Sequence, residues 1–276
     1  MSQQKRSSKL ESGPIRDHLA GMAAQRDDRD FVASLARGLA VMLSFTQRKR
    51  QLTVSQISAQ IGISRAAVRR SLLTLVKLGF AGTQDDQHYF LSPKVLSLSQ
   101  AYFTSTPVAT VAQPVLERLS AVLSESCSIA TLDQYEVCYV ARAAVSRIMS
   151  VDLHVGSRLP AFCTSMGRAL LAHLPEERLD RYLERAVLTR YTSRTVDSVA
   201  KLRRILELTR RNDYAIVDQE LEVGLRSLAI PIRNAAGNVV AALNVGCPAQ
   251  RVSVRDMQTT FLPHLRKSAQ EIGAKL

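Results

Sequence analysis

The sequence predicts an α+β protein built from a small, mainly helical domain followed by a larger α/β domain. Three observations support this prediction. The chain has 276 residues, which is enough for two modest domains. Apolar residues recur at helical spacing across residues 31–78, whereas short strand-like and helical segments alternate after residue 109. Basic side chains are concentrated in residues 1–100, where 15 Lys or Arg stand against 7 Asp or Glu.

The charge distribution indicates a polyanionic partner for the first domain. The formal net charge is +13, yet residues 31–84 contain eight Lys or Arg and not one Asp or Glu. Such a density of like charge is explained most simply if phosphates neutralise it. Double-stranded DNA is therefore the expected partner, and the alternative is a solvated helix face with no partner.

Other partners and compartments are disfavoured by the composition. No apolar run approaches the roughly 18 residues that a membrane span needs, and the first ten residues lack the apolar core of a secretory signal. The four cysteines are far apart and form no CxxC pair, which favours buried, reduced thiols over disulfides or a metal site. We expect a cytoplasmic protein without cofactor, metal or membrane partner.

The first domain has the parts of a winged helix-turn-helix. An opening helix is indicated by the periodic apolar residues of FVASLARGLAVMLSF, among them Leu35, Leu39, Met42 and Leu43. Three further signals follow along the chain: a capping box of Thr53 and Gln56, a stop at Gly62, and a new cap at Ser64 for a helix reaching about Leu78. Two short strands around Asp85 and Asp86 would form the wing.

The helix after Ser64 is the expected recognition helix. Its apolar residues Val68, Leu72, Leu75 and Val76 share one face, which leaves the cations free to meet DNA. His88 and Tyr89 near the wing are expected to add backbone contacts. The candidate DNA-binding residues are Arg48, Lys49, Arg50, Thr53, Ser64, Arg65, Ala66, Arg69, Arg70 and Lys77.

The second half predicts a mostly antiparallel sheet with helices. Residues 93–123 are helix-prone, with expected breaks near Pro107 and Pro114. Strands are predicted at 127–133, 136–143 and 149–153, and a hairpin at 227–246 turns at Gly237. Helices are predicted after Ser165, at 175–185, at 197–212 and from about Val254. The expected domains are a flexible tail at 1–30, the winged helix-turn-helix at 31–92, a linker helix at 93–108 and the second domain at 109–276.

Long stretches of this sequence resemble the IclR family of bacterial transcription regulators. In the first domain these are SLARGLAVMLSF, LTVSQISAQIGISRAAVRRSLLTLVKLGF and YFLSPKVLSL. In the second they are VDLHVGSRLPAFCTSMGRALLAHL, YAIVDQELEVGLRSLAIPIRNAAGNVVAALNVG and LPHLRKSAQEI. The resemblance covers about residues 31–276 and is strongest to the branch controlling protocatechuate, 4-hydroxybenzoate and β-ketoadipate catabolism.

This resemblance implies a linker helix, a GAF-like effector domain and dimers, often paired into tetramers, on palindromic promoter sites. RNA polymerase is a further candidate partner. The effector is expected to be a small organic acid, and the opening turn of the helix after Ser165 is a natural seat for its carboxylate. Arg142 or Arg158 would balance the charge. The other candidate effector-binding residues are Gly156, Leu159, Ala161, Cys163, Ser165, Met166, Asp218, Glu220, Ser227 and Asn244.

Each candidate also has a purely structural explanation. Ser165 is equally interpretable as a helix cap, Met166 and Cys163 as core residues, and Asn244 as a satisfied strand residue. Asp218 and Glu220 suit an anionic ligand only if they bind its hydroxyl groups or orient an arginine.

Two rival functions remain open at this point. An enzyme with a DNA-binding appendage lacks support, because no GxSxG, HExxH or GxGxxG motif occurs and His173 and Glu176 flank a proline at a helix boundary. A non-specific architectural DNA binder would not need the large, nearly charge-balanced second domain.

Overall fold

The computed structural model describes residues 19, 21, 22, 25, 28–46, 48–145 and 153–276. The chain divides into two compact units, Met1–Tyr102 and Phe103–Leu276. The predicted strand at 149–153 falls almost wholly outside the described residues, as does most of the predicted tail. Two residues of that tail, Leu19 and Met22, pack against the core of the first unit, so a mobile tail does not account for them.

Between residues 31 and 92, the first unit consists of three helices and a small sheet. Its elements are α1 (Ala33–Leu43), β1 (Leu52–Thr53), α2 (Val54–Ile61), α3 (Arg65–Lys77), β2 (Ala81–Thr83) and β3 (His88–Leu91). The sheet has the order β1-β3-β2 and is antiparallel throughout. The predicted helices and wing strands are confirmed, while the two-residue β1 is too short to leave a sequence signal.

The leucines that predicted α1 do not face the core. Its buried residues are Ala36, Ala40 and Val41, whereas Leu35 and Leu39 are 63% and 38% exposed. The helix was therefore predicted correctly, but its buried face was not. The small side chains on the buried face allow α1 to pack closely against α3.

A longer helical stretch follows the wing. Helix α4 (Leu96–Ser105) begins after a 3-10 turn at Pro93–Val95 and spans the division between the units. Helix α5 (Val108–Leu123) then runs through Pro114 without a break. The predicted break there is wrong: a proline forfeits one backbone hydrogen bond, and the eight buried residues of α5 hold it against the core.

The second unit is a six-stranded antiparallel sheet covered by helices on both faces. Its strands are β4 (Ser126–Asp133), β5 (Glu136–Ala143), β6 (Arg158–Pro160), β7 (Ala215–Asp218), β8 (Leu225–Arg233) and β9 (Val239–Pro248), in the order β6-β5-β4-β9-β8-β7. Its remaining helices are α6 (Ser165–Leu171), α7 (Glu176–Arg185), α8 (Val199–Asn212), α9 (Val254–Asp256) and α10 (Leu262–Gly273), with π-helical turns at Met257–Phe261 between the last two.

The two faces of this sheet have different characters. One face, here the α5 face, carries Ile129, Leu228 and Leu243 and packs on α5 and α10. The other, here the α6 face, carries Ala130 and Ala229 and packs on α6. Large aliphatic residues thus fill the α5 face, while the α6 face has a floor of small ones. In the described part of the chain, no helix combines the length and apolar character needed to cross a bilayer.

Candidate nucleic-acid interface and ligand site

Helix α3 presents a continuous basic surface. Ser64 caps it by accepting a hydrogen bond from the Ala67 amide at 3.4 Å, and Val68, Leu72 and Leu75 fix its orientation by burial. All its cations point to solvent. The exposed residues of α3 are Arg65, Ala66, Arg69, Arg70, Leu73, Thr74 and Lys77.

The segment before α2 adds to this surface. Arg48, Lys49 and Arg50 are exposed, and Lys49 Nζ donates to Gln60 Oε1 on α2 at 3.3 Å. Thr53 has a different role: its hydroxyl accepts from the Gln56 amide at 3.3 Å, while its own amide donates to the Gln56 side chain at 2.8 Å. The hydroxyls of Thr53 and Ser64 are thus engaged as helix caps, which positions the cations beside them.

The wing turn is organised by an acid. Asp85 accepts hydrogen bonds from the Gln87 and His88 amides, and its second oxygen lies 2.7 Å from His88 Nδ1. These bonds, the His88 amide foremost, lower the pKa of Asp85 to about 2. Tyr89 was expected to face DNA, but it is 4% exposed and belongs to the core of the first unit. That expectation is wrong, because alternation along β3 turns Tyr89 inward.

In the second unit, a tight elbow delivers α6 onto the sheet. Thr164, and not Ser165, caps this helix by accepting from the Gly167 amide at 3.2 Å. Gly167 packs directly on the backbone of Ala161, where any Cβ would overlap main-chain atoms. Interpreting Ser165 as the helix cap is therefore wrong.

The part of the α6 face that lies beneath and beside α6 is called the floor here, and it combines small side chains with a few polar ones. Registers across the sheet align Arg142 on β5 with Ser128 on β4, Asn244 on β9 and Ala229 on β8, so these four side chains share the α6 face. The next row aligns Ser126, Gly246, Ser227 and Val217. A Cβ at Gly246 would meet only a Leu225 methyl at 3.9 Å. Side chains therefore do not crowd this second row, which contains Ser126 and Ser227 and is the polar end of the floor.

Within the described part of the chain, three polar atoms in this region are buried without a hydrogen-bond partner. They are Ser165 Oγ, Asn244 Oδ1 and Arg142 Nε. Ser165 and Asn244 are 1% and 7% exposed. Buried polar atoms in folded proteins are nearly always hydrogen-bonded. A cluster of buried polar atoms without partners is therefore typical of a site that binds an external ligand.

Both acidic candidates bind arginines. Glu220 makes a buried bidentate pair with Arg168 of α6 at 2.6 and 2.7 Å, and it also accepts from the Val196 amide at 3.1 Å. Asp218 pairs with Arg226 at 2.8 Å on the α5 face, away from Asn244. Partial burial opposes the shift, but these arginine contacts lower the pKa of Asp218. Asp218 therefore faces away from Asn244 and orients an arginine, which is one of the two roles that the sequence left open for it.

Arg158 also lies away from the floor. It pairs in register with Cys138, whereas its neighbour Leu159 pairs with Val137 on the α6 face, so Arg158 points to the opposite side. It binds Asp133 and Glu136, each at 2.7 Å. Burial alone would lower the pKa of Arg158, but the two carboxylates raise it. Gly156 has a φ of 88° and forms a turn in which its amide bonds the Tyr139 carbonyl at 2.8 Å.

The remaining candidates line the core around the elbow. Leu159, Ala161, Cys163 and Met166 are buried in the cluster beneath α6. Burial raises the pKa of the Cys163 thiol to about 12, so the thiolate is scarce near neutral pH. A separate open groove of about 360 Å³ lies between α10 and β8, where Arg233 is paired with Asp213 at 2.8 Å.

Sequence reasoning missed Ser128 and Arg168. Ser128 stands in a strand-like run with no local mark, and only the register of β4 between β5 and β9 brings it beside Arg142 and Asn244. Arg168 follows the expected helix start by three positions, but its acid is 52 residues away in sequence.

A winged helix-turn-helix with a basic recognition helix, joined to a sheet domain with a partly polar internal floor, defines a ligand-responsive DNA-binding protein. The two family models that match are the IclR helix-turn-helix domain over residues 34–85 and the bacterial transcriptional regulator IclR C-terminal domain over residues 100–274. The chain belongs to the IclR family of bacterial transcriptional regulators, as its motifs predicted.

Two characterised relatives narrow the branch. The chain is 50% identical over 250 residues to the Pca regulon regulatory protein of Pseudomonas putida, covering 90% of this chain and 86% of that protein. It is 38% identical over 249 residues to the p-hydroxybenzoate hydroxylase transcriptional activator of Acinetobacter baylyi, covering 88% and 91%. The expected protocatechuate and 4-hydroxybenzoate branch is confirmed.

Solved structures support the fold. A transcriptional regulator from Rhodococcus sp. RHA1 matches with a TM-score of 0.79 and 45% identity, over 88% of this chain and 97% of that one. An IclR homolog from Microbacterium hydrocarbonoxydans, complexed with 4-hydroxybenzoate, matches with a TM-score of 0.77 and 27% identity, over 87% and 97%. The α+β fold class is thus confirmed.

Proposed function

We propose that this regulator binds promoter DNA through α3 and responds to a hydroxybenzoate-like acid held on the α6 face of its sheet. The observation that carries the second part is the burial of Ser165 Oγ and Asn244 Oδ1 without partners over small side chains. The 4-hydroxybenzoate bound by the Microbacterium hydrocarbonoxydans homolog has the size and polarity that such a floor would accept.

Each proposed contact follows from chemistry. Ser165 and Asn244 would hydrogen-bond the ligand, Ser227 would lie at the polar end of the floor, and Leu159, Ala161 and Met166 would pack against a ring. Glu220 would act indirectly by holding Arg168 and with it the position of α6. Cys163 would be packing rather than a nucleophile, since burial suppresses its thiolate. A regulatory rather than a catalytic role agrees with both relatives.

On the DNA side, the N-terminal half of α3 would enter the major groove. Arg65, Arg69 and Arg70 would contact base edges and phosphates, and Ala66 would allow close approach. Arg48, Lys49, Arg50 and Lys77 would contact the backbone.

We also propose a homodimer formed through α1. Val32, Leu35, Leu39 and Leu43 are between 38% and 63% exposed and follow one another at spacings of three and four residues. A row of large, exposed apolar side chains needs a matching apolar surface to cover it. A second copy supplies the same row about a two-fold axis. Palindromic operators would suit that symmetry.

The ligand proposal is tested by thermal shift and calorimetry on the full chain with 4-hydroxybenzoate, protocatechuate and β-ketoadipate. At least one acid should raise the unfolding temperature, as a ligand that binds only the folded state must. The same acid should change affinity for promoter DNA in a gel-shift titration. Ser165→Ala should weaken acid binding without lowering stability, because its hydroxyl has no partner to lose. No response to any of the acids would contradict the proposal.

A further inference from the structure

Arg142 differs from the other partly buried arginines of the second unit. Each of those has a carboxylate partner: Arg158 has Asp133 and Glu136, Arg168 has Glu220, Arg203 has Glu176 and Asp180, and Arg226 has Asp218. Among the described residues, no carboxylate lies within ion-pair distance of Arg142. Its Nη1 donates to Ser128 Oγ at 3.0 Å, and its buried Nε has no acceptor in the part of the chain that the structure describes.

Such an arrangement is unfavourable for the protein alone. A guanidinium withdrawn from water loses hydration that one neutral hydroxyl replaces only in part. The other four arginines recover this loss through carboxylates. Arg142 would recover it when an anion from outside the chain binds, which is the usual logic of an anion-recognition residue.

The neighbours of Arg142 suit a carboxylate. Ser128 lies opposite Arg142 on one side and opposite Asn244 on the other, so the guanidinium, the hydroxyl and the amide form one polar row across three strands. Adjacent strands are about 4.8 Å apart. A small acid whose carboxylate binds the guanidinium of Arg142 on β5 would therefore extend over the neighbouring strands of the floor. A planar guanidinium fork matches two carboxylate oxygens.

We propose that Arg142, with the Ser128 hydroxyl beside it, binds the carboxylate of the effector and so makes the site selective for acids over their neutral analogues. This rests on the proposed function, in which a small acid occupies the α6 face. It assigns the charge-balancing role to Arg142 and withdraws it from Arg158, which is committed to two carboxylates on the other side of the sheet.

The test is calorimetric titration of the full-length protein with 4-hydroxybenzoate and protocatechuate and with their neutral carboxamides. Arg142→Gln should weaken binding of the acids about 10- to 100-fold, the range for a charge-assisted hydrogen bond, and should bring acid and amide affinities close together. Arg158→Gln is the matched control, being a partly buried arginine of the same sheet. It should keep the wild-type preference for acid over amide.

Ser128→Ala provides a second, milder variant should Arg142→Gln fold poorly. It removes the hydroxyl that accepts from Nη1 and should weaken acid binding about 3- to 10-fold, with little effect on the amides. Wild-type acid affinity in either folded variant would overturn the carboxylate assignment while leaving the proposed function intact. Failure of the wild-type protein to bind either acid would instead count against the proposed function itself.

Discussion

Gly167 marks the point where α6 meets the segment before it. Its Cα packs on the backbone of Ala161, so the elbow that carries Ser165 and Met166 depends on the absence of a side chain. A single added atom, a Cβ at position 167, would therefore be enough to displace α6. Thr164 acts at the same elbow: its hydroxyl caps the helix and leaves the neighbouring hydroxyl of Ser165 without a partner among the described residues.

Gly167→Ala should destabilise the second unit. The added Cβ would overlap main-chain atoms, which cannot move aside as a flexible side chain can. Overpacking of this kind costs about 1–3 kcal/mol or more. Thermal and urea unfolding would measure the loss. Gly246→Ala is the control, since its Cβ would make an ordinary contact with Leu225, and comparable stability of the two variants would contradict the close packing.

Asp85 offers a pH test in the first unit. Its folded pKa of about 2 is below the unfolded value of about 3.9, so its contribution to stability is present above pH 4 and disappears as pH falls towards 2. A carboxyl ¹³C titration should therefore show Asp85 ionising near pH 2. A midpoint near 4 would mean that the wing turn is not held by these hydrogen bonds.

At the scale of elements, α3 combines two functions on opposite sides. Val68 and Leu72 are fully buried and set the rotation of the helix, and that rotation fixes which cations face outward. Capping by Ser64 fixes where the helix begins and therefore where Arg65 projects. The buried face of α3 thus stabilises the fold, and its exposed face carries the cations proposed to recognise DNA.

Replacing Arg65, Arg69 and Arg70 together with alanine should weaken promoter binding. Each lost phosphate contact should reduce the slope of log affinity against log salt concentration by about 0.9, so the slope should fall by up to about 3. Fluorescence anisotropy at several salt concentrations would measure both quantities. The matched control replaces Arg178, Arg181 and Arg185, which are exposed on α7 and carry the same total charge. Equal effects of the two triple variants would show that only net charge matters.

For the whole molecule, the proposed homodimer would determine how two copies present their recognition helices. The exposed apolar row of α1 lies in the unit that carries α3, so association there would fix the spacing of the recognition helices directly. Effector binding in the second unit would then act through a shift between arrangements of the assembly.

Leu35→Glu combined with Leu39→Glu should prevent association through α1. Both side chains are exposed, so the charges should leave the fold intact while opposing burial against a second copy. Sedimentation velocity should show a smaller species, and promoter affinity should fall because one half-site is lost. Leu208→Glu is the control, being exposed on α8 in the other unit. An unchanged oligomer in the double variant would locate the interface elsewhere.

The winged helix-turn-helix, the basic helix, the mainly antiparallel sheet and the family could all be predicted from the amino-acid sequence. These depend on local signals, such as caps, helical period, turn glycines and charge, that neighbouring residues carry. Three properties could not be predicted: which arginine lacks a carboxylate partner among the described residues, on which side of the sheet Asp218 lies, and which of the described polar atoms are buried without a hydrogen bond. Those properties arise from strand register and long-range pairing, which bring together residues such as Arg142 and Asn244 that are far apart along the chain.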